Sequence, residues 1–178
     1  DSLEKGRNAL SGYYDAYKGT WPRQLLTEFA ISGVPIDVSG EKIMLRGVLD
    51  KVEIGGDGKV NVVDYKTGLP KSRNDIMGTT KSSDGDYYRQ LLFYKLLLDG
   101  YGDKRYNMVS GAIDFIEPSE KGVYKKEVFE ITNEATIPLV DTIKKVSKEI
   151  MDLAFFNSVC GDNDCEYCEL RKTLRNTT

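Results

Sequence analysis

Gly55-Gly56-Asp57-Gly58 stands between two β-rich runs, 42–54 (KIMLRGVLDKVEI) and 59–66 (KVNVVDYK). Such a turn-forming string forces a reversal, so the two runs pair as an antiparallel hairpin. With the turn centred near Gly56-Asp57, Asp50 comes opposite Asp64, give or take one residue of register. Directly opposed residues have Cβ atoms about 5 Å apart. Two carboxylates that close repel unless a cation lies between them or one is protonated. Residues two apart on a strand share a face, so Lys66 points the same way as Asp64. Magnesium takes one or two carboxylates and completes its shell with water and phosphate oxygens. A lysine beside it can stabilise charge developing on a phosphate or orient an attacking water. An aspartate on each strand of a hairpin is equally what a solvated face looks like, and spacing alone does not separate the two readings.

The rest of the chain supplies helices around this hairpin. Leu10, Tyr13, Tyr14 and Tyr17 recur at helical steps over residues 1–18, and Gly19 and Pro22 end that helix. Residues 26–33 alternate like a strand, and 67–85 are polar and rich in Gly, Ser, Thr and Lys, as in a mobile loop. Residues 86–99 (DYYRQLLFYKLLLD) read as a helix closed by Gly100 and Gly102. Residues 106–117 and 123–131 form a second hairpin. A long amphipathic helix follows at about 133–156, with Thr132 as its N-cap and Glu134 in its first turn. The order predicts an α/β fold with a mixed central β-sheet flanked by helices.

With 178 residues the chain fits a single domain, 1–178. It opens on Asp1 already in helical pattern, which reads as a piece excised from a larger protein. No run is long and apolar enough for a membrane span, so a membrane partner is not expected. The net charge of −3 and pI of about 5.2 disfavour capture of DNA by charge alone. Histidine is absent, which removes Ser-His-Asp and Cys-His catalysis. No GxxxxGK[ST] string is present, so the chain is not itself an ATP motor. The three cysteines fall within nine residues of one another, unlike a secreted disulfide scaffold, and point to a reducing, cytoplasmic setting.

Three segments together carry a resemblance. Gly47-Val48-Leu49-Asp50-Lys51-Val52-Glu53, then Val62-Val63-Asp64-Tyr65-Lys66-Thr67-Gly68, then Tyr88-Arg89-Gln90-Leu91-Leu92-Phe93-Tyr94 resemble the motifs of RecB-type nucleases. These belong to the PD-(D/E)XK superfamily, as found at the C-terminus of RecB, AddA and UvrD-like helicases. The resemblance implies a restriction-endonuclease-like core and a Mg²⁺- or Mn²⁺-dependent deoxyribonuclease, more an exonuclease than an endonuclease, working in recombination or repair. DNA and the motor domains of a helicase, in the same or a partner chain, are the implied partners. It also implies roles. Asp50 and Asp64 hold the metal with the main-chain carbonyl of Tyr65, Lys66 is the catalytic lysine, and Gln90 and Tyr94 position DNA or that lysine. Glu28 matches an acidic position before the first strand, as a ligand or a neighbour of one. Tyr87, Leu91, Tyr94 and Leu98 would equally form one packed helix face. The family often carries a metal-binding histidine upstream, which this chain lacks.

Some relatives hold an iron–sulfur cluster with three cysteines near the C-terminus and one upstream. Cys160, Cys165 and Cys168, in a tail at 157–178, supply three soft ligands of the four that an iron–sulfur or Zn²⁺ site wants. Lys71, Arg73 and Lys81 in the loop after Lys66 are candidates for phosphate contacts. Two other functions compete with catalysis: a catalytically inactive DNA-binding domain of the same fold, and an interaction module built on the cysteines.

Overall fold

The computed structural model describes residues 2–154, 160–161 and 165–175. Helix α1 (Ser2–Tyr17) leads into β1 (Leu25–Val38), β2 (Glu41–Ile54) and β3 (Lys59–Lys66). Helices α2 (Arg73–Met77) and α3 (Asp86–Asp99) cross over to β4 (Asn107–Phe115), which is followed by β5 (Lys125–Glu130), α4 (Asn133–Met151) and α5 (Glu166–Arg175). Residues 155–156 of the expected 133–156 helix lie outside the described residues. So do 157–159, 162–164 and 176–178 of the expected cysteine tail. No helix among the described residues is long and apolar enough to cross a membrane.

The five strands lie in chain order, β1-β2-β3-β4-β5. All neighbours are antiparallel except β3 and β4, which run parallel. A parallel pair needs a crossover rather than a turn, and α2–α3 provides it. The sheet is therefore mixed and flanked by helices, as expected. Helix α3 crosses one face. Leu91, Leu97 and Leu98 are fully buried there with Val60 and Val62 of β3. Because residues two apart on a strand share a face, Val62, Asp64 and Lys66 all look toward α3. The other face carries Val63 and Ala112, both fully buried, and α1 reaches this face through Tyr13, which meets Tyr65 and Asp114.

Three features depart from the sequence expectations. The first is β1, which runs fourteen residues instead of stopping at Gly33. The register shifts between Ser32 and Val34, and Gly33 takes φ +79 at that bulge. One inserted residue breaks the alternation on which the strand was read, but not the ladder.

The second departure is the 67–85 segment, which is partly built rather than simply mobile. Ser72 and Asp75 form a capping box on α2: the Asp75 N–H donates to Ser72 Oγ and the Ser72 N–H donates to Asp75 Oδ2. Gly78 ends α2 with φ +75, and a Cβ there would lie 2.6 Å from the Gly85 nitrogen. Gly78→Ala therefore meets both left-handed strain of about 1–2 kcal/mol and a backbone clash. It is expected to lower stability by about 2–3 kcal/mol, to be read as a shifted urea midpoint at unchanged m-value.

The third departure lies in β2. Gly47 faces α3, since a Cβ there would stand 2.7 Å from Leu97 Cδ1. Leu49, two residues on, is fully buried on that side, and so is Val52. Positions 49 and 52 can share a face only if the alternation slips by one residue between them. Asp50 and Lys51 take up that slip. The facing residue of β1, Glu28, has φ +49.

Candidate active site

The β2–β3 ladder runs from Ile54↔Val60 to Lys51↔Val63 and stops. One step further the same register sets Asp50 against Asp64, as the hairpin count predicts, but the two strands no longer pair there. Asp50 turns into the gap, where its Oδ2 accepts the Tyr65 N–H at 2.9 Å. A strand residue sends its N–H and C=O to the same side. The Tyr65 carbonyl therefore opens toward the same gap. Two regular carboxylates facing across a hairpin are thus replaced by a notch at the end of the ladder, lined by Asp50, Asp64 and one main-chain carbonyl.

Asp64 is 1% exposed. A closed circuit of side chains surrounds it. Tyr94 Oη donates to Asp64 Oδ1 at 2.8 Å, and Gln90 Nε2 donates to Tyr94 Oη at 2.7 Å. Lys66 Nζ donates to Gln90 Oε1 at 2.7 Å and stands 2.8 Å from Asp64 Oδ2. Gln90 and Tyr94 reach this circuit together because they lie one turn apart on α3. Tyr87, one turn before Leu91, places its ring centroid 4.4 Å from Lys66 Nζ.

The circuit leaves one atom short. Asp64 Oδ2 is buried and has the lysine as counter-ion, but accepts no aligned hydrogen bond. Burial pushes the Asp64 carboxyl above the usual aspartate range. Lys66 and Tyr94 pull it back only in part, and the charge of Asp50 adds to the rise. An under-satisfied buried carboxylate oxygen, a second carboxylate and a free-facing carbonyl make an all-oxygen donor set. That set fits a hard divalent cation such as Mg²⁺ or Mn²⁺, which keeps water and phosphate in its other positions.

Tyr94→Phe keeps the ring and removes the donor to Asp64 Oδ1. Groups that orient metal ligands in this way are commonly worth 10–100-fold in metal affinity or activity. The expected result is a loss of about that size in kcat together with a fall of a few degrees in melting temperature, since Asp64 Oδ1 is left buried without its donor; steady-state kinetics and calorimetry check both.

Other residues fall less clearly into place. Glu28 is exposed at the slip in β1, and among the described residues no hydrogen bond or ion pair joins it to Asp50 or Asp64. Arg73 is committed to structure: its guanidinium donates to the Val128 carbonyl, pairs with Glu127 at 3.2 Å and lies 4.1 Å over Phe129. The Sγ atoms of Cys160, Cys165 and Cys168 lie within 4.8 Å of one another. Hydrogen bonding from the Cys168 backbone, then from the Cys160 side chain, holds the Cys165 thiol below its ordinary range.

Behind the catalytic strand lies a polar layer that sequence reading missed. Tyr13 Oη donates to Asp114 Oδ2 at 2.7 Å, and Lys51 Nζ pairs with Glu53 at 2.9 Å while lying 5.3 Å from the Tyr65 ring. Asp114 is paired in register with Tyr65, the residue between Asp64 and Lys66. Burial raises the Asp114 carboxyl, partly offset by Tyr13 and Lys126. The one available signal was Asp114 itself, a lone charge in the apolar run GAIDFI.

The sequence profile of the PD-(D/E)XK nuclease superfamily matches residues 3–173. The chain belongs to that superfamily. Its members are metal-dependent nucleases, consistent with the donor set of the notch. Among solved structures, the crystal structure of SSO0001 shares the fold at a TM-score of 0.50 and 18% identity. The match covers 86% of this chain and 61% of that one, so this PD-(D/E)XK domain spans less than two thirds of the SSO0001 structure. No curated protein matches the chain.

Proposed function

We propose that the chain is a DNA nuclease that hydrolyses phosphodiester bonds with Mg²⁺ or Mn²⁺ held by Asp50, Asp64 and the Tyr65 carbonyl. The carrying observation is the buried Asp64 Oδ2, which has an ammonium beside it and no aligned hydrogen-bond donor. The cation supplies Lewis-acid activation of the phosphate and of a water. Around it the protein's own groups have defined tasks. Tyr94 holds Asp64 Oδ1, which leaves Oδ2 facing the notch. Gln90 ties Lys66 and Tyr94 into one unit and fixes the ammonium beside the reacting phosphate. Lys66 then stabilises the charge that grows on the phosphoryl oxygens.

DNA as substrate, exonuclease rather than endonuclease action, and a role in recombination or repair follow from the likeness of the three motifs to RecB-type nucleases. The same likeness supports a helicase as the partner that feeds the strand. An acidic domain of net charge −3 suits that arrangement, since a motor rather than the nuclease surface captures the DNA. A catalytically inactive DNA-binding domain is disfavoured by the intact circuit of Asp64, Lys66, Gln90 and Tyr94. Cleavage of linear single- and double-stranded DNA, with Mg²⁺, Mn²⁺ or EDTA, tests the reading. Wild type is expected to cleave only with metal, and Asp64→Ala and Lys66→Ala to be inactive. Cleavage in EDTA, or variants as active as wild type, would overturn it.

A second reading rests on the cysteines. Three sulfurs within 4.8 Å, with one thiol already lowered, form a partial soft-metal site for Zn²⁺ or an iron–sulfur cluster. No fourth Cys or His ligand stands with them among the described residues. Elemental analysis of the purified protein is expected to find zinc or iron that Cys165→Ser removes. A metal-free wild type would exclude this site.

A further inference from the structure

The β2–β3 ladder ends at Lys51↔Val63, and the metal notch lies immediately beyond that last pair. The width of the notch is therefore set by whatever joins β2 to β3 past the end of the ladder. On the notch side, Asp50 Oδ2 accepts the Tyr65 N–H at 2.9 Å. On the opposite face of the sheet, Lys51 reaches diagonally over β3, and its Nζ lies 5.3 Å from the centroid of the Tyr65 ring. Diagonal neighbours on facing strands are about 7–8 Å apart, within reach of a long side chain.

Lys51 is 4% exposed, and burying a charge is unfavourable unless it is paired. An apolar side chain of similar volume would fill the space without that cost. The ammonium is instead firmly held. Glu53, two residues on and on the same face, pairs with it at 2.9 Å. Asn61 Nδ2 of β3 donates to Glu53 Oε2 at 2.7 Å, and Asn61 Oδ1 accepts the Ser110 hydroxyl of β4 at 2.9 Å. At the other end of the contact, the Tyr65 ring meets the Tyr13 ring of α1 edge-on, with centroids 6.1 Å apart. One end of the Lys51–Tyr65 contact is thus anchored across three strands and the other on a helix. Lys51 follows Asp50 directly, and Tyr65 carries the notch carbonyl itself. A rigid contact between these two residues fixes how far Asp50 stands from that carbonyl.

We propose that Lys51 is a positioning residue: its contact with Tyr65 is a strut that holds the notch at the width of a small divalent cation and so sets a preference for Mg²⁺ over Ca²⁺. This rests on the reading of Asp50, Asp64 and the Tyr65 carbonyl as metal ligands. Mg²⁺ demands near-octahedral oxygens at about 2.0–2.1 Å, whereas Ca²⁺ takes about 6–8 oxygens at about 2.3–2.6 Å in a flexible shell. Selectivity between the two follows the size and flexibility of the donor set. Lys51 faces away from the notch, so it acts through the backbone of Asp50 and Tyr65. Losing its positive charge strengthens binding of both cations alike, and losing stability weakens both alike. A change in the spacing of the donors is what moves their ratio.

The test loads the protein with Mn²⁺ and displaces it with Mg²⁺ or with Ca²⁺, reading the paramagnetic signal of the released ion with no DNA present. The ratio of the two displacing concentrations is compared in wild type, Lys51→Met, Lys51→Arg and Lys126→Met. Lys126 belongs to the same polar face, 3.6 Å from Asp114 and 3.9 Å from Glu53, but its contacts do not span the end of the β2–β3 ladder. Lys51→Met is expected to shift the ratio toward Ca²⁺ about tenfold, the lower end of what supports of metal ligands contribute. Lys51→Arg restores it, because a guanidinium keeps the charge and stacks on an aromatic face. Lys126→Met leaves it unchanged. Lys51→Met deprives Glu53 of its partner, so the double variant Lys51→Met with Glu53→Gln, which removes both charges, is measured beside it and is expected to show the same shift. An unchanged ratio in Lys51→Met and in the double variant, or an equal shift in Lys126→Met, overturns the strut. A wild type that takes up no Mn²⁺ overturns the metal reading itself.

Discussion

Asp64→Asn is expected to reduce DNA cleavage about a thousandfold or more while leaving the protein folded, with a stability within about 2 kcal/mol of the wild type. The two halves have one cause. Asp64 is buried and its carboxyl is raised by that burial, so the folded protein carries an ionised group that its surroundings do not fully satisfy. Asparagine is nearly the same shape. It can turn its oxygen to Lys66 and its amide to the Tyr94 oxygen, but the Tyr94 O–H, which donates to Asp64 Oδ1 and already accepts from Gln90, then loses its acceptor. The shape is kept and the cost of the buried charge is removed, while the lost Tyr94 hydrogen bond and the lost counter-ion of Lys66 act against that gain. What is lost is the anionic oxygen that faces the cation. Lewis-acid stabilisation is worth several kcal/mol, and about 1.4 kcal/mol corresponds to each tenfold in rate. Thermal unfolding in EDTA, run beside the cleavage assay, checks both halves.

Lys66→Met separates the lysine from the metal. The expected loss in kcat is about 10²–10³, the size found when one preorganised donor to a developing oxyanion is removed. Affinity for Mn²⁺ is expected to hold or rise, because an ammonium 2.8 Å from Asp64 Oδ2 competes with the cation for that oxygen. Removing one partner of a buried pair exposes the remaining charge to its full desolvation cost, about 3 kcal/mol. Metal-free Lys66→Met is therefore less stable than wild type. Saturating Mn²⁺ restores more stability to it than to wild type, since a ligand that binds only the folded state stabilises in proportion to its occupancy. Melting temperatures with and without Mn²⁺ read this directly.

How much of this could be read before the fold was seen differs from residue to residue. The Gly55–Gly58 turn and the alternation around it were enough to bring Asp50, Asp64 and Lys66 together, because a hairpin has few alternatives at that spacing. Gln90 and Tyr94 needed the motif likeness, since a polar pair one turn apart on a helix fits packing equally well. Their partners became evident only when α3 was laid across β3. The slip at Asp50–Lys51 leaves a mark in the sequence, where two apolar residues (Val48, Leu49) precede two charged ones, but only burial shows that Leu49 and Val52 end on the same face. The loop helix α2 was overlooked at five residues, too short for periodicity to register. Its signal was the Ser72-x-x-Asp75 spacing of a capping box. Tyr87 reads in sequence only as part of a packed helix face, and its contact with Lys66 depends on how α3 lies across the end of β3.

Titration of Mn²⁺ onto the metal-free protein, followed by the paramagnetic signal of the free ion, tests the metal notch most directly. Wild type and Lys66→Met are predicted to take up Mn²⁺ saturably, with Asp50→Asn and Asp64→Asn losing that uptake while remaining folded. Equal uptake by wild type and Asp64→Asn, or none by wild type, would contradict the assignment of Asp50, Asp64 and the Tyr65 carbonyl as the metal centre.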